Sequence, residues 1–263
     1  MVEIVKERDF KKSLIFDTGP LISLTLNNLL WTIDKLKNVF EGEFFITPKV
    51  YKELIEKPLR TKRFKFEAMQ VLKYIRRGVL KVFDTEEIDA FAERLYVLSN
   101  KCFKARGQNL KIVHYAEIQA VACAVILGSE AVVIDERTTR KLVETPNDLK
   151  KLLEHKFHVK VTVDKLALKE FTQLVKGVSV IRSVELMAIA YDTGLLEQYM
   201  PIEILKDTAD KELVESVFWG LKLNGCAISE RDVITLFHRP NVLERQVLYF
   251  QNVNFLKIED FLV

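Results

Sequence analysis

Apolar runs and helical patterns alternate along the first two thirds of the chain. SLIF (13–16) has the short apolar run of a buried strand, and PLISLTLNNLLWTIDKL (20–36) has helical spacing. FFIT (44–47) reads as a strand. PKVYKELIEK (48–57) reads as a helix, with Thr47 as its cap, Pro48 in the first turn and Pro58 past its end. RFKFEAMQVLKYIRRG (63–78) predicts a helix closed by glycine, and VLKVF (79–83) alternates like a strand. EEIDAFAERLYVLSNKCFKARG (86–107) and VHYAEIQAVACAVILG (113–128) read as helices, the second stopped by Gly128. AVVI (131–134) is a strand; HVKVTV (158–163) and GVSVI (177–181) are strand-like and flank the helix KLALKEFTQLVK. A helix over 182–199 follows. This order predicts an α/β fold, a parallel sheet between helices. Pro201 marks a seam, so residues 1–200 form the expected main domain and 201–263 a mainly helical extension, with KELVESVFWGLKLNGCAI as a helix and RPNV (239–242) as a loop.

Composition narrows the class. The chain has 263 residues, 49% hydrophobic and 29% charged, enough to bury a core. No apolar run reaches a membrane span of roughly 18 residues. MVEIVKERDFKK carries no signal-like apolar stretch, so a cytoplasmic, membrane-free protein is expected. Cys102, Cys123 and Cys226 lack metal or disulfide spacing and read as reduced thiols.

Charge is uneven. Residues 201–263 hold 7 Lys and Arg against 10 Asp and Glu, a balance of −3; the total of +3 leaves +6 on the first 200. The densest basic stretch (57–77) carries Arg60, Lys62, Arg63, Lys65, Arg76 and Arg77 with Glu67 as its only acid. A second run (101–111) carries Lys104 and Arg106 and no acid. Interleaved Phe64, Phe66, Tyr74 and Phe103 suit a nucleic acid, because cations meet phosphates and rings stack on bases. The plainer reading is a solvated helix face whose rings point inward.

Two strands end on a carboxylate: LIF on Asp17 and VVI on Asp135, the latter followed by Glu136. In open parallel sheets, ligands bind outside the carboxyl ends of the strands, so both acids fall on one rim. Glu117 shares a helical face with Val113, Ala120, Val121 and Ala124, where an acid rarely sits without a partner. Glu53 borders the buried face of its helix, although Lys49 and Lys57 stand four residues either side. Four converging carboxylates repel unless protonated or neutralised, and a hard divalent cation such as Mg²⁺ or Mn²⁺ is the economical resolution. Such an ion activates water and neutralises phosphoryl charge without a histidine base or covalent nucleophile. No GxSxG motif occurs. The histidines (114, 155, 158, 238) are scattered; His155 and His158 read as structural or surface residues, and His114, one turn before Glu117, reads as core packing, with a reach into the cleft as the alternative. Asp17-Thr18-Gly19 lacks the DxD pattern of haloacid-dehalogenase-type phosphatases.

DTGPLI (17–22), PKVYKELIEK, AEIQAVACA (116–124) and VVIDERTTRKL (132–142) resemble the successive motifs of PIN-domain proteins, in order, spacing and context. RSVELMAIAYDTGLL resembles the helix closing the domain in members with a DTGPLI start, so the resemblance covers about 12–200. It implies a five-stranded parallel sheet and an acidic pocket that binds Mg²⁺ or Mn²⁺ and cleaves RNA. By position it implies Asp17, Glu53, Glu117 and Asp135 as the four catalytic acids, with Asp17, Glu117 and Asp135 as metal ligands. Thr18, Glu136 and Arg140 take supporting places. Homodimers are frequent in that family. The chain departs from small toxin-type members by its length and by a basic, helical insertion at about 57–111, whose basic stretch 57–77 would lie as an RNA track beside the pocket or be a solvated helix face. The alternative is a non-catalytic PIN-like module that binds RNA or a protein partner.

Overall fold

The computed structural model describes residues 4–6, 10–200, 204 and 208–229. Its centre is a six-stranded, all-parallel sheet in the order β1(Ile4–Val5), β4(Leu80–Phe83), β3(Glu43–Ile46), β2(Ser13–Phe16), β7(Ala131–Val133), β9(Val180–Ile181). The fold class is the expected one. Five of the strands correspond to the apolar runs; the sixth, β1, pairs Ile4 with Val82 at one edge, and two residues are too short to leave a periodic signal.

The strands are apolar throughout because both faces are covered. Leu14, Phe16, Phe44, Ile46, Leu80 and Val133 point into one core, Ile15, Phe45, Phe83 and Val132 into the other. The first core is closed by α1(Thr18–Leu26), α2(Thr32–Phe40), α3(Pro48–Tyr51), α5(Lys65–Arg76) and α11(Ser183–Asp192). The second is closed mainly by α6(Glu86–Ser99), α7(Tyr115–Leu127), α8(Arg137–Glu144), α9(Pro146–Phe157) and α10(Lys165–Leu174).

Four segments depart from the periodic reading. The helix expected over 20–36 is two, α1 and α2, parted at Asn27 and Asn28, where Asn28 takes φ +57°. The helix over 48–57 runs on through a π turn, Lys52–Glu56, into α4(Lys57–Leu59). Pro58 has no N–H to donate and its ring crowds the carbonyl four residues earlier, so the wider turn accommodates it. The helix over 86–107 stops at Ser99. A hairpin follows, β5(Phe103–Ala105) and β6(Gln108–Asn109), around Arg106 and Gly107, both with positive φ as a type I′ turn requires. β5 also pairs antiparallel with β8(Val161–Val163), so the strand expected over 158–163 joins a second, three-stranded sheet. Finally, α11 ends before Gly194 (φ +73°), short of the expected 199.

The 57–111 stretch, expected as a helical insertion, contains β4 of the central sheet and the hairpin as well as helices. Beyond the seam at Pro201, α12(Ala209–Leu223) buries Leu213, Phe218 and Leu221 in the first core. RPNV (239–242) and His238 lie outside the described residues.

Candidate active site

The chain runs outward from β2 to β3 and β4, then returns to place β7 on the other side of β2. The carboxyl ends of β2 and β7 are therefore a topological switch point, the place where open α/β sheets bind ligands. Phe16 pairs with Val133, and the Asp17 N–H donates to the Val133 carbonyl at 3.0 Å. Asp17 and Asp135 thus leave neighbouring strands side by side. A cleft of about 410 Å³ opens there, lined by Asp17, Thr18, Glu53, Glu117, Asp135 and Glu136 among others. All four expected acids and two of the supporting residues meet in it.

Their states differ. Asp17 is 6% exposed and caps α1 through a bond from the Gly19 N–H to Oδ2 at 3.3 Å. Its Oδ1 and the Thr18 hydroxyl are buried with no hydrogen-bond partner among the described residues. Burial, then the nearby charge of Glu117, pushes the Asp17 carboxyl up to about 7. Glu117, in the first turn of α7, is 7% exposed. Burial also pushes it up to about 7, opposed by the Thr139 hydroxyl, which donates to Oε2. Glu53 comes from the π turn, is about a third exposed and pairs loosely with Lys57 at 3.7 Å. Its charge adds to the upward pressure on both buried acids.

Asp135, 3% exposed, is held instead of free. Its Oδ1 accepts from the Ser183 N–H at 2.8 Å, and its Oδ2 accepts from the Ser23 hydroxyl at 2.7 Å and the Ser183 hydroxyl at 2.8 Å. The Cys226 side chain is a further hydrogen-bond partner of this carboxylate. Burial raises its pKa against these bonds. Glu136 caps α8 by accepting from the Thr139 N–H at 2.8 Å, so Thr139 bridges Glu136 and Glu117. Arg140 sits half-buried on α8, outside the cleft lining.

Several contributors escape the sequence reading. Ser23 and Ser183 orient Asp135, and Thr139 orients Glu117. Gly225 lines the cleft, and the Ala227 N–H donates to the Asp135 carbonyl at 3.0 Å, so the segment after α12 forms part of the site. His114 is exposed and lines the cleft, the alternative to its expected place in the core. A signal for Ser183 existed: VIRS repeats the device of an apolar strand ending on a polar residue, as in LIFD and VVID.

The basic residues lie elsewhere. Arg60, Lys62, Arg63, Lys65, Arg76 and Arg106 are exposed; Arg77 pairs with Asp34 at 2.6 Å and Lys104 with Asp164 at 3.4 Å. None lines the cleft. Phe66 is 70% exposed, but Phe103 is fully buried and has no face to offer a base.

Among the described residues, no three His, Cys, Asp or Glu side chains form a ready-made metal-ligand set. The donors still fit a hard cation. An unpartnered buried oxygen costs about 1–3 kcal/mol, and here one belongs to a carboxylate beside a second carboxylate, oxygen chemistry suited to Mg²⁺ or Mn²⁺. Asp17 and Glu117 would hold it, with Glu53 at the mouth.

No helix among the described residues is long and apolar enough to cross a membrane. No curated protein and no solved structure compared with the chain matches it. A family model described as a PIN domain matches residues 13–150, from the first residue of β2 into α9, and spans all four acids. The chain belongs to the PIN-domain family, whose fold is of the nuclease type and whose members generally use divalent metal ions.

Proposed function

We propose that the protein is a metal-dependent endoribonuclease that hydrolyses phosphodiester bonds of single-stranded or structured RNA in the acidic cleft. The observation carrying this reading is the meeting of Asp17, Glu53 and Glu117 at the switch point, with Asp17 Oδ1 and the Thr18 hydroxyl left unpartnered. A bound Mg²⁺ or Mn²⁺ would supply an acidified water and offset phosphoryl charge. Asp17 and Glu117 in their charged forms would hold such an ion, and Glu53 adds negative charge at the open side. Asp135, fixed by Ser23, Ser183 and Cys226, forms the floor beside that ion's place. The Thr18 hydroxyl orients Asp17 or a water beside it. Glu136 and Thr139 hold the α8 terminus and Glu117 in place, and Arg140 stands one turn further for an incoming phosphate.

The test is cleavage of a mixed single-stranded RNA pool in Mn²⁺, Mg²⁺ or EDTA. Wild type is expected to cut only with metal, and Asp17→Asn to lose at least about 10²-fold in rate while staying folded. Undiminished cutting by a Glu117→Gln, Asp135→Asn double variant would refute it. A non-catalytic PIN-like module for RNA or protein is the second reading, favoured by two observations: Asp135 is bonded within the protein, and no three-ligand set exists among the described residues. That reading expects RNA binding in EDTA, indifferent to Asp17→Asn, and no cutting in any metal.

A further inference from the structure

A second concavity lies away from the acidic cleft, between α9 and α10. It measures about 720 Å³, and its lining includes Lys150, Lys165, Lys169 and Lys176 and no acid. The last three belong to one face of α10 and the turn beyond it, at positions i, i+4 and i+11, with Leu168 and Thr172 between them. Nearby acids are already engaged. Asp164 caps α10 and meets Lys104, Glu170 pairs with Arg94 at 2.8 Å, and Asp148 approaches Lys141 at 3.9 Å. Glu154 accepts from the Val161 N–H at 3.0 Å and leans on Lys150 at 3.8 Å. Lys165, Lys169 and Lys176 are exposed and make no ion pair with a described residue. Like charges are spaced along one wall at no evident structural gain, beside an apolar floor that includes Val163 and Leu168.

We propose that this groove binds the phosphate backbone of single-stranded RNA, as a track for the part of the strand beyond the cleaved bond; its link to cleavage rests on the function proposed above. The α8 helix joins the two places. Its cap, Glu136, is at the cleft edge, and Pro146, just past its end, lines the groove. Eight residues of helix span about 12 Å. One strand can therefore occupy both. Mobile ammonium groups in a row suit a repeating anion, whereas an enclosed small ligand needs a few fixed polar groups, and here Thr172 and Gln173 are exposed. The concave shape also favours a strand over a lipid surface. The second sheet extends the surface: β8, whose Val163 lines the groove, pairs with β5 of the basic hairpin carrying Arg106.

The test uses the full chain carrying Asp17→Asn, in EDTA, with a fluorescent polyuridylate of about 20 nucleotides followed by anisotropy across salt concentrations. Lys165→Gln, Lys169→Gln and Lys176→Gln together are expected to weaken binding about tenfold or more. They should also lower the log–log salt slope by about 2, since each single-strand phosphate contact contributes about 0.7. The control removes the same charge at exposed Lys6, Lys35 and Lys211 and is expected to change little. Unchanged affinity in the groove variant, an equal loss in the control, or loss only of binding to phosphatidylserine vesicles would overturn the proposal. If wild type cuts RNA in Mn²⁺ while groove-variant binding is unaltered, the groove alone falls. If binding depends on the groove while nothing is ever cut, the nuclease reading alone falls.

Discussion

Two carboxyls that titrate near 7 in the fold set a pH dependence for the metal-free protein. Asp17 and Glu117 start from ordinary values of 3.8 and 4.5 and rise to about 7. Between those limits the folded chain holds protons that the unfolded chain has released, so stability falls as pH rises through the window and levels off above about 7. In EDTA, the melting temperature should drop between about pH 5 and pH 8. Asp17→Asn should flatten that drop and, near pH 8, be more stable than wild type by on the order of 2–4 kcal/mol. Mn²⁺ should raise the melting temperature strongly at pH 8 and little at pH 5, because the ion competes with those protons. A wild-type curve that climbs from pH 5 to 8 in EDTA would contradict this picture. The acids themselves were legible, since strand-end carboxylates and a glutamate on an apolar helical face stand out in one sequence. Their partners were not. Ser23 and Ser183 lie 112 and 48 positions from Asp135, and Thr139 lies 22 from Glu117, distances that no local pattern spans.

At the scale of elements, close approaches decide where small residues are needed. A Cβ on Gly42 would stand 2.5 Å from the Phe40 ring and 2.8 Å from the Lys12 carbonyl. Phe40 is fully buried and cannot retreat. Gly42→Ala should therefore destabilise by about 1–3 kcal/mol, read from the denaturant midpoint. Gly107→Ala, with open space but φ +79°, should cost about 1–2 kcal/mol. The elements most legible in the sequence were those with long apolar periodicity, such as α7, and the short apolar strands of the sheet. The hairpin was hidden because KCFKARG continues a helical charge pattern, and only the paired positive φ values of Arg106 and Gly107 reverse the chain. The π turn was hidden because Pro58 reads as a stop, whereas the structure widens one turn and continues.

Over the whole molecule, the order of strands could be anticipated as parallel and helix-covered, but not which strands become neighbours. The net charge changes sign at Pro201, yet α12 shares the first core and the segment after it touches the cleft. A chain ending at residue 207 should thus melt at a lower temperature and lose cleavage, although it keeps all four acids. Retained activity in that truncation would show the cleft complete without Gly225 and Ala227. The clasp on Asp135 has a further consequence in time. Its carboxylate is held in part by Ser183, and its carbonyl accepts from the Ala227 N–H. A ribosome is built of RNA and makes the chain from the other end. On the proposed function, the growing polypeptide shows its first acid early but cannot arm the cleft until almost everything described has emerged and folded, so synthesis itself acts as a safety catch.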